Sequence, residues 1–164
     1  MPYPLKAYNF NVAVTGGTAA PTAGATDVGS GIGGGFSEVQ GLEISHGLIV
    51  YRDGNSPLNT VIQFPGLTTY SNVTLKWGAT VNVSFYNWVV ATAMAGSKLL
   101  KSTVVITQLD DDHSTVLATW QLQDAFPYKY VASGFNAAEN AFLFEAVELC
   151  HQGLTRIGGV AAGA

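Results

Sequence analysis

"KSTVVITQLDDDHSTVLATWQLQ" (residues 101–123) reads as one strand, a polar turn and a second strand. In the second strand, alternate residues from Val116 to Leu122 are apolar, so they share one face of an extended chain. The intervening Asp110–Ser114 carries three aspartates and no apolar side chain, which is typical of a hairpin turn. The stretch therefore predicts an antiparallel β-hairpin in a mainly β protein.

Strand patterns continue on both sides of this hairpin. Residues 7–14 alternate strictly, and residues 36–53 read as extended chain with Gly41 and Gly47 as candidates for a bend or bulge. Because closure removes the exposed edges of a sheet, seven or eight such strands predict a closed or sandwich-like antiparallel β-barrel. The remaining strands are predicted at 73–77, 125–133 and 140–158.

One α-helix is predicted at about residues 81–94, flanking the barrel. Apolar side chains recur there at helical spacing, Thr80 is a suitable N-cap and Gly96 a suitable stop. The segment is rich in β-branched residues, which have low helix propensity, so packing of the apolar stripe must hold the helix. The stripe consists of Val81, Phe85, Trp88, Val89 and Thr92.

The 164 residues suit a single domain spanning residues 1–164. Residues 16–35 are mostly Gly, Ala and Thr, which bury too little surface to offset the entropy of ordering, so we expect a flexible insertion. Residues 157–164 are expected to be a flexible tail. The single Cys150 excludes an intrachain disulfide. The N-terminus lacks the features of a signal peptide and no apolar run could span a membrane, so we expect no membrane anchoring.

The charge content is low for a protein exposed to water. Charged residues make up 11% of the chain, against about 25% in an average soluble domain, while hydrophobic residues make up 48%. Much of the surface is therefore expected to face other protein in an obligate oligomer. A net charge of −4 gives no electrostatic basis for binding nucleic acid.

Patterns for catalysis or cofactor binding are weak. Gly29–Gly34 matches G-x-G-x-x-G, but dinucleotide binding requires a strand before the motif and a helix after it, and neither is predicted. Asp110–Asp112 are consecutive, whereas calcium loops alternate their acids. Cys150 and His151 are adjacent, so in a strand they would point to opposite faces and could not share a metal. We expect no catalytic residues, no cofactor and no metal site, and hence no enzyme.

Five segments in order resemble the tail tube, or inner tube, protein family of contractile injection systems and myophage tails, a family related to type VI secretion tube proteins. The segments are "GGFSEVQGLEI" (34–44), "YRDGNS" (51–56), "FPGLTTYSNVTLKWG" (64–78), "WQLQDAFPYKY" (120–130) and "FEAVELCHQGL" (144–154).

The resemblance implies a structural subunit that forms homo-hexameric rings stacked into a hollow tube. It also implies a surrounding contractile sheath, baseplate, spike and terminator proteins, and a lumen cargo of effector or DNA. Such particles are assembled in the bacterial cytoplasm, and contraction delivers the tube into the target. Two departures, Leu67 and Trp77, stand where relatives often carry basic residues, so apolar contact is expected to replace part of the charge pairing between rings.

The segment 52–66 is the expected assembly loop. It is rich in turn-forming residues but carries apolar side chains that a solvated loop does not need, so we expect it to pack on an adjacent subunit or ring. The alternative is a hairpin loop folded onto its own barrel. The predicted interface residues are Tyr51, Arg52, Asp53, Gly54, Asn55, Leu58, Val61, Ile62, Phe64, Pro65, Tyr70 and Asn72.

The sequence leaves two other functions possible. One is a type VI secretion-like ring protein that acts as an effector carrier. The other is a ligand-binding β-barrel or an enzyme, which would require a convergent polar pocket.

Overall fold

The computed structural model describes residues 4–15, 36–79, 81, 83–94 and 101–159. These residues form nine strands and one helix. In chain order they are β1 (Phe10–Thr15), β2 (Phe36–Gln40), β3 (Ile44–Tyr51), β4 (Ile62–Tyr70), β5 (Val73–Gly78), α1 (Ser84–Met94), β6 (Ser102–Leu109), β7 (Val116–Ala132), β8 (Phe144–Cys150) and β9 (Gly153–Gly158).

Strand β7 belongs to two antiparallel layers. Its first half pairs with β6 and β9, and its second half pairs with β8. Between the halves, Asp124 has a φ of 52°, and two residues of β7 face one residue of β6. Such a bulge bends a strand and lets it pass from one sheet to the other. The path β1-β6-β7-β8-β5-β2 therefore folds over at Asp124 into a sandwich-like arrangement.

The core lies between the two halves of this folded sheet. Val12, Val104 and Leu122 are buried on one side, and Leu75 and Leu149 on the other. These are the inward positions of period-two strands, as the alternating burial of β5 and β6 shows. Burying one such side chain contributes about 1.5–3 kcal/mol.

Helix α1 covers the second sheet through aromatic contacts. Phe85 and Trp88 are buried, and the ring of Phe85 lies 5.0 Å from that of Trp77 and 5.5 Å from that of Phe36. This packing offsets the low helix propensity of the segment. Of the predicted stripe, Val89 and Thr92 are half-buried, whereas Val81 precedes the helix and is 92% exposed. The predicted cap Thr80 and stop Gly96 lie outside the described residues.

The antiparallel β fold, the single helix and the sandwich-like alternative are confirmed, whereas the alternative of a closed barrel is not. β1 and β2 end the sheet path, and no strand of the described residues joins them. The bend at Asp124 brings the layers face to face, so the core is covered without closure. The helix begins at Ser84 rather than near residue 81.

Several boundaries differ from those predicted. Residues 62–66 of the expected 52–66 loop belong to strand β4, and residues 157–158 of the expected tail belong to β9, where Ile157 pairs with Thr119. The insertion at 16–35 lies outside the described residues. Gly41 and Gly47 do mark irregularities: Gly41 has a φ of 90°, and the β3–β4 register shifts at Gly47.

Candidate assembly surface

Strands β3 and β4 form a separate two-stranded sheet, which we call the arm (residues 44–70). Among the strands of the described residues, these two pair only with each other. Every residue of β3 is exposed, and so is every residue of β4 except Gly66 and Tyr70, which are half-buried. The arm therefore has solvent on both faces, although a two-stranded ribbon is only marginally stable alone in water.

Both faces of the distal half of the arm are apolar. On one face, Ile49 pairs with Phe64 and Tyr51 pairs with Ile62. The other face carries Leu48 and Val50, whose partners are Pro65 and Gln63. A sheet in contact with water on one side normally alternates apolar and polar residues. A ribbon that is apolar on both faces is suited to contact other protein on both faces. No part of the described chain covers it. The exposed apolar side chains of the arm are Ile44, Leu48, Ile49, Val50, Tyr51, Leu58, Val61, Ile62, Phe64 and Leu67.

The proximal half of the arm contains two polar pairs beyond the Ile44–Tyr70 pair at its base. The hydroxyl groups of Ser45 and Thr69 lie 2.8 Å apart, and Nδ1 of His46 lies 2.8 Å from the Thr68 hydroxyl. A bulge at Gly47 and Gly66 separates the two halves, because one residue of β3 opposes two of β4 there. A Cβ on Gly66 would lie 3.0 Å from the carbonyl oxygen of Gly47, so glycine suits this close approach.

The tip of the arm is an ordered turn. The Asp53 carboxylate accepts a hydrogen bond from the Asn55 amide at 3.2 Å, and the Asp53 carbonyl accepts one from the Ser56 amide at 3.1 Å. The Arg52 guanidinium donates to the side-chain oxygen of Asn59 at 3.3 Å. The Asp53 side chain thus accepts a hydrogen bond within its own loop, whereas the positively charged Arg52 contacts a neutral side chain.

A hydrogen-bonded chain lies at the base of the arm. Asn72 donates to the Tyr128 hydroxyl at 3.2 Å and accepts from the Cys150 thiol at 3.3 Å. The Tyr128 hydroxyl donates to Glu148, which raises the pKa of Tyr128 and lowers that of Glu148. Burial raises the pKa of the Cys150 thiol, which keeps it protonated as a donor. These contacts join the β4–β5 connection to strands β7 and β8.

The second anchor of the arm is His151, which is buried in the turn between β8 and β9. Its Nε2 lies 3.0 Å from the Ser71 carbonyl oxygen and its Nδ1 3.1 Å from that of Gly153. The ring centroids of Tyr70 and His151 are 5.4 Å apart. The imidazole thereby links the end of β4 to the β8–β9 turn.

The predicted interface residues lie in three places: in the strands of the arm, at its tip, and at its base, where Asn72 follows the last arm residue. Tyr51, Ile62, Phe64 and Pro65 lie in its strands and share its exposed distal half. Tyr70 and Asn72 lie at the base, where they contact the sandwich rather than solvent alone. The tip holds Arg52, Asp53, Gly54, Asn55, Leu58 and Val61.

Apart from Tyr51, the exposed apolar residues of strand β3 were missed by sequence reasoning. Leu48, Ile49 and Val50 are all more than half exposed. The signal was present, because Leu48–Tyr51 is an unbroken apolar run and an extended chain sends its side chains to both faces. Phe135 and Phe142, in the loop between β7 and β8, were also missed and are nearly fully exposed.

Other polar groups form surface contacts. Asp112 accepts hydrogen bonds from the amides of Ser114 and Thr115 and from the Thr115 hydroxyl, which hold its pKa below the usual range. Asp110–Asp112 thus lie in the predicted hairpin turn. Across the described ranges, no group of three His, Cys, Asp or Glu residues could hold a metal ion. The one helix within those ranges is too short to cross a membrane.

Comparison with solved structures gives the same fold. The chain resembles a protein in the cryo-EM structure of an extracellular contractile injection system, the PVC sheath–tube complex in its extended state, with 24% identity, a TM-score of 0.77 and coverage of 95% of this chain and 93% of that one. It resembles a protein of the anti-feeding prophage baseplate with 18% identity, a TM-score of 0.76 and coverage of 96% and 98%. For a type six secretion system protein the identity is 10%, the TM-score 0.50 and the coverage 90% and 82%.

Comparison of sequences identifies the family. No curated protein matches the chain. The family described as T4-like virus tail tube protein gp19 matches residues 6–155, which include the arm and all nine strands except the last three residues of β9. The chain is therefore a structural tube subunit that belongs to the T4-like virus tail tube protein gp19 family.

Proposed function

We propose that this chain builds the inner tube of a contractile injection system or phage tail, as hexameric rings stacked into a hollow tube. The observation that carries the proposal is the arm, whose distal half is apolar on both faces and is covered by no described part of its own chain. In this role the chain has no catalytic step, and contraction of a surrounding sheath moves it.

The arm is suited to bind other copies of the same chain. Burying exposed apolar surface contributes about 25 cal/mol per Å², and stable interfaces bury on the order of 1,600 Å². A contact between two different patches of identical subunits closes into a ring laterally or continues as a filament axially. A subunit with neighbours beside, above and below it also has little need for a charged surface, which agrees with its 11% charged residues.

The proposed partners are a contractile sheath, baseplate and spike proteins, and a terminator. The support is the likeness to proteins in a sheath–tube complex and in a baseplate, together with family membership. Assembly in the bacterial cytoplasm, delivery into a target on contraction, and passage of effector or DNA through the lumen complete the proposal.

The purified protein tests the proposal directly. We expect negative-stain electron microscopy to show rings and tubes, and deletion of residues 55–62 to leave folded subunits without tubes. That deletion joins the paired residues Val50 and Gln63 through four residues, a loop length that hairpins accept. A monodisperse monomer at high concentration, or normal tubes from the deletion variant, would contradict it. Rings without tubes that co-purify with a client protein would favour the effector-carrier alternative.

A further inference from the structure

The exposed loop between β7 and β8 (residues 133–143), which we call the receiving loop, is ordered and apolar. The Ser133 amide donates to the Phe144 carbonyl at 2.8 Å, and the Ser133 hydroxyl accepts from the Phe144 amide at 2.9 Å. Phe135 is 89% exposed and Phe142 is 88% exposed. A loop that is closed by hydrogen bonds at its ends and exposes two phenylalanines to solvent is suited to a protein contact.

The arm and the receiving loop lie at opposite ends of the same strands. The arm joins the sandwich where β5 begins at Val73, which pairs with Leu149 near the end of β8. The receiving loop leads into β8 at Phe144, which pairs with Gly78 at the end of β5. The five rises of about 3.3 Å between Val73 and Gly78 place the two ends about 17 Å apart. One chain therefore carries two different apolar surfaces at its two ends, as head-to-tail stacking requires.

The receiving loop contains an open depression beside its two exposed phenylalanines. Its volume is about 130 Å³, and Phe135, Phe142 and Leu143 line it together with Glu139. The arm tip offers an exposed aliphatic side chain in Leu58, which is 65% exposed and can pack against the Phe135 and Phe142 rings.

The two surfaces offer one pair of opposite charges. Arg52 and Asp53 are the charged residues of the arm tip, where Asp53 accepts a hydrogen bond from the Asn55 amide, and Glu139 is the only charged residue in the receiving loop. Within the described part of the chain, the ion pairs are Lys6–Asp111, Lys76–Glu38 and Lys129–Glu148, so Arg52 and Glu139 are both available to a partner. A charge pair between subunits sets the register of an otherwise apolar contact.

We propose that the arm tip of one copy docks on the receiving loop of the next copy along the tube, with Leu58 against Phe135 and Phe142 and with Arg52 beside Glu139. The partner is thus a second copy of this chain, related by stacking rather than by a twofold axis. This inference rests on the proposed tube function and identifies the two surfaces that meet.

Cross-linking tests the contact even where long tubes do not form. In a Cys150→Ser background, Asn59→Cys places a thiol beside Arg52, and Ala138→Cys places one beside Glu139. With a short bis-maleimide, the double variant is expected to give a ladder of multimers on a denaturing gel, and each single variant only monomers. Absence of the ladder, or dimers from Asn59→Cys alone, would overturn the inference.

Charge reversal supplies the second measurement. Arg52→Glu and Glu139→Arg are each expected to raise the protein concentration needed for sedimentable assemblies about tenfold, and the double reversal is expected to restore it. Arg52→Glu combined with Glu43→Arg, which reverses an exposed acid at the arm base, is the mismatched control and should not restore assembly. A double reversal no better than Arg52→Glu alone would overturn the inference. If the wild type forms tubes but the double-cysteine variant gives no cross-link, only this contact is refuted. If the double-cysteine variant gives the cross-link but the wild type forms no tubes, only the tube function is refuted.

Discussion

The Nε2 atom of His151 lies 3.0 Å from the carbonyl oxygen of Ser71, and this contact fixes the arm to the sandwich. The other ring nitrogen faces the Gly153 carbonyl at 3.1 Å. Both contacts are therefore with backbone carbonyl oxygens, one just after β4 and one at the start of β9. His151 therefore positions the assembly surface, although its side chain is buried and lies outside that surface.

Replacing His151 by leucine is expected to destabilise the subunit. The change keeps an apolar side chain against Tyr70 but removes both ring nitrogens, and an unpaired buried polar group costs about 1–3 kcal/mol. Urea unfolding of unassembled subunits measures the loss. His46→Leu, in the exposed arm, is the control and should cost less. Equal stability of His151→Leu and the wild type would show that the two carbonyl contacts contribute nothing.

Gly41→Ala is expected to cost at least about 2 kcal/mol, because Gly41 has a φ of 90° and an added Cβ would lie 2.0 Å from the Asn72 carbonyl oxygen. The backbone at the base of the arm would have to move. Gly54→Ala at the arm tip is the matched control, since a Cβ there meets nothing within 4 Å. Thermal unfolding of both variants provides the comparison, and similar melting temperatures would count against this account.

Phe64→Asp is expected to abolish tubes while leaving the subunit folded. Phe64 pairs with Ile49 on an exposed apolar face, so the sandwich core is untouched, but a covered interface would bury an unpaired carboxylate. Electron microscopy reports tubes and circular dichroism reports folding. Ser45→Asp, in a polar pair of the proximal half of the arm, is the control and should affect assembly less. Normal tubes from Phe64→Asp would exclude this face from the interface.

Tyr130 gives the subunit a pH dependence above pH 10. Burial, with the hydrogen bond that its hydroxyl donates to Glu145 at 2.8 Å, raises its pKa to about 12. A raised folded-state pKa means that the stabilisation is complete below the unfolded value of about 10 and is lost as the pH rises through 12. At pH 8, Tyr130→Phe should lose about 0.5–1.5 kcal/mol of unfolding free energy, and this difference from the wild type should shrink between pH 10 and 12. A difference that stays constant across that range would disprove the assignment.

Much of the fold follows from local sequence patterns. The alternation in the 101–123 hairpin predicts β6, its turn and the first half of β7, because each pattern depends only on neighbouring residues and one buried face. The helix is predicted from spacing alone, although Val81 lies outside it since a periodic apolar position does not reveal where the helix begins. Gly41 and Gly47 were identified as irregular because glycine adopts conformations and close approaches that other residues do not.

Other features could not be read from the chain. The number of strands predicted a closed barrel or a sandwich, and the sandwich is formed by the described residues because β7 bends across two layers at Asp124. The receiving loop was missed for a similar reason. Phe142 continues an apolar pattern that is typical of a strand, and only the pairing of Phe144 with Gly78 shows that the strand begins after it.

The sequence by itself determined that the chain is mainly β, that it is poor in charge and that residues near 52–66 carry apolar side chains needing cover, since composition and period are local properties. Only the tertiary structure decided that β3 joins β4 in a free-standing arm and that His151 anchors its base. It also placed a second apolar surface at the opposite end of the same strands. Strand pairing and exposure depend on residues far apart in the chain, so they are fixed only when the whole chain has folded.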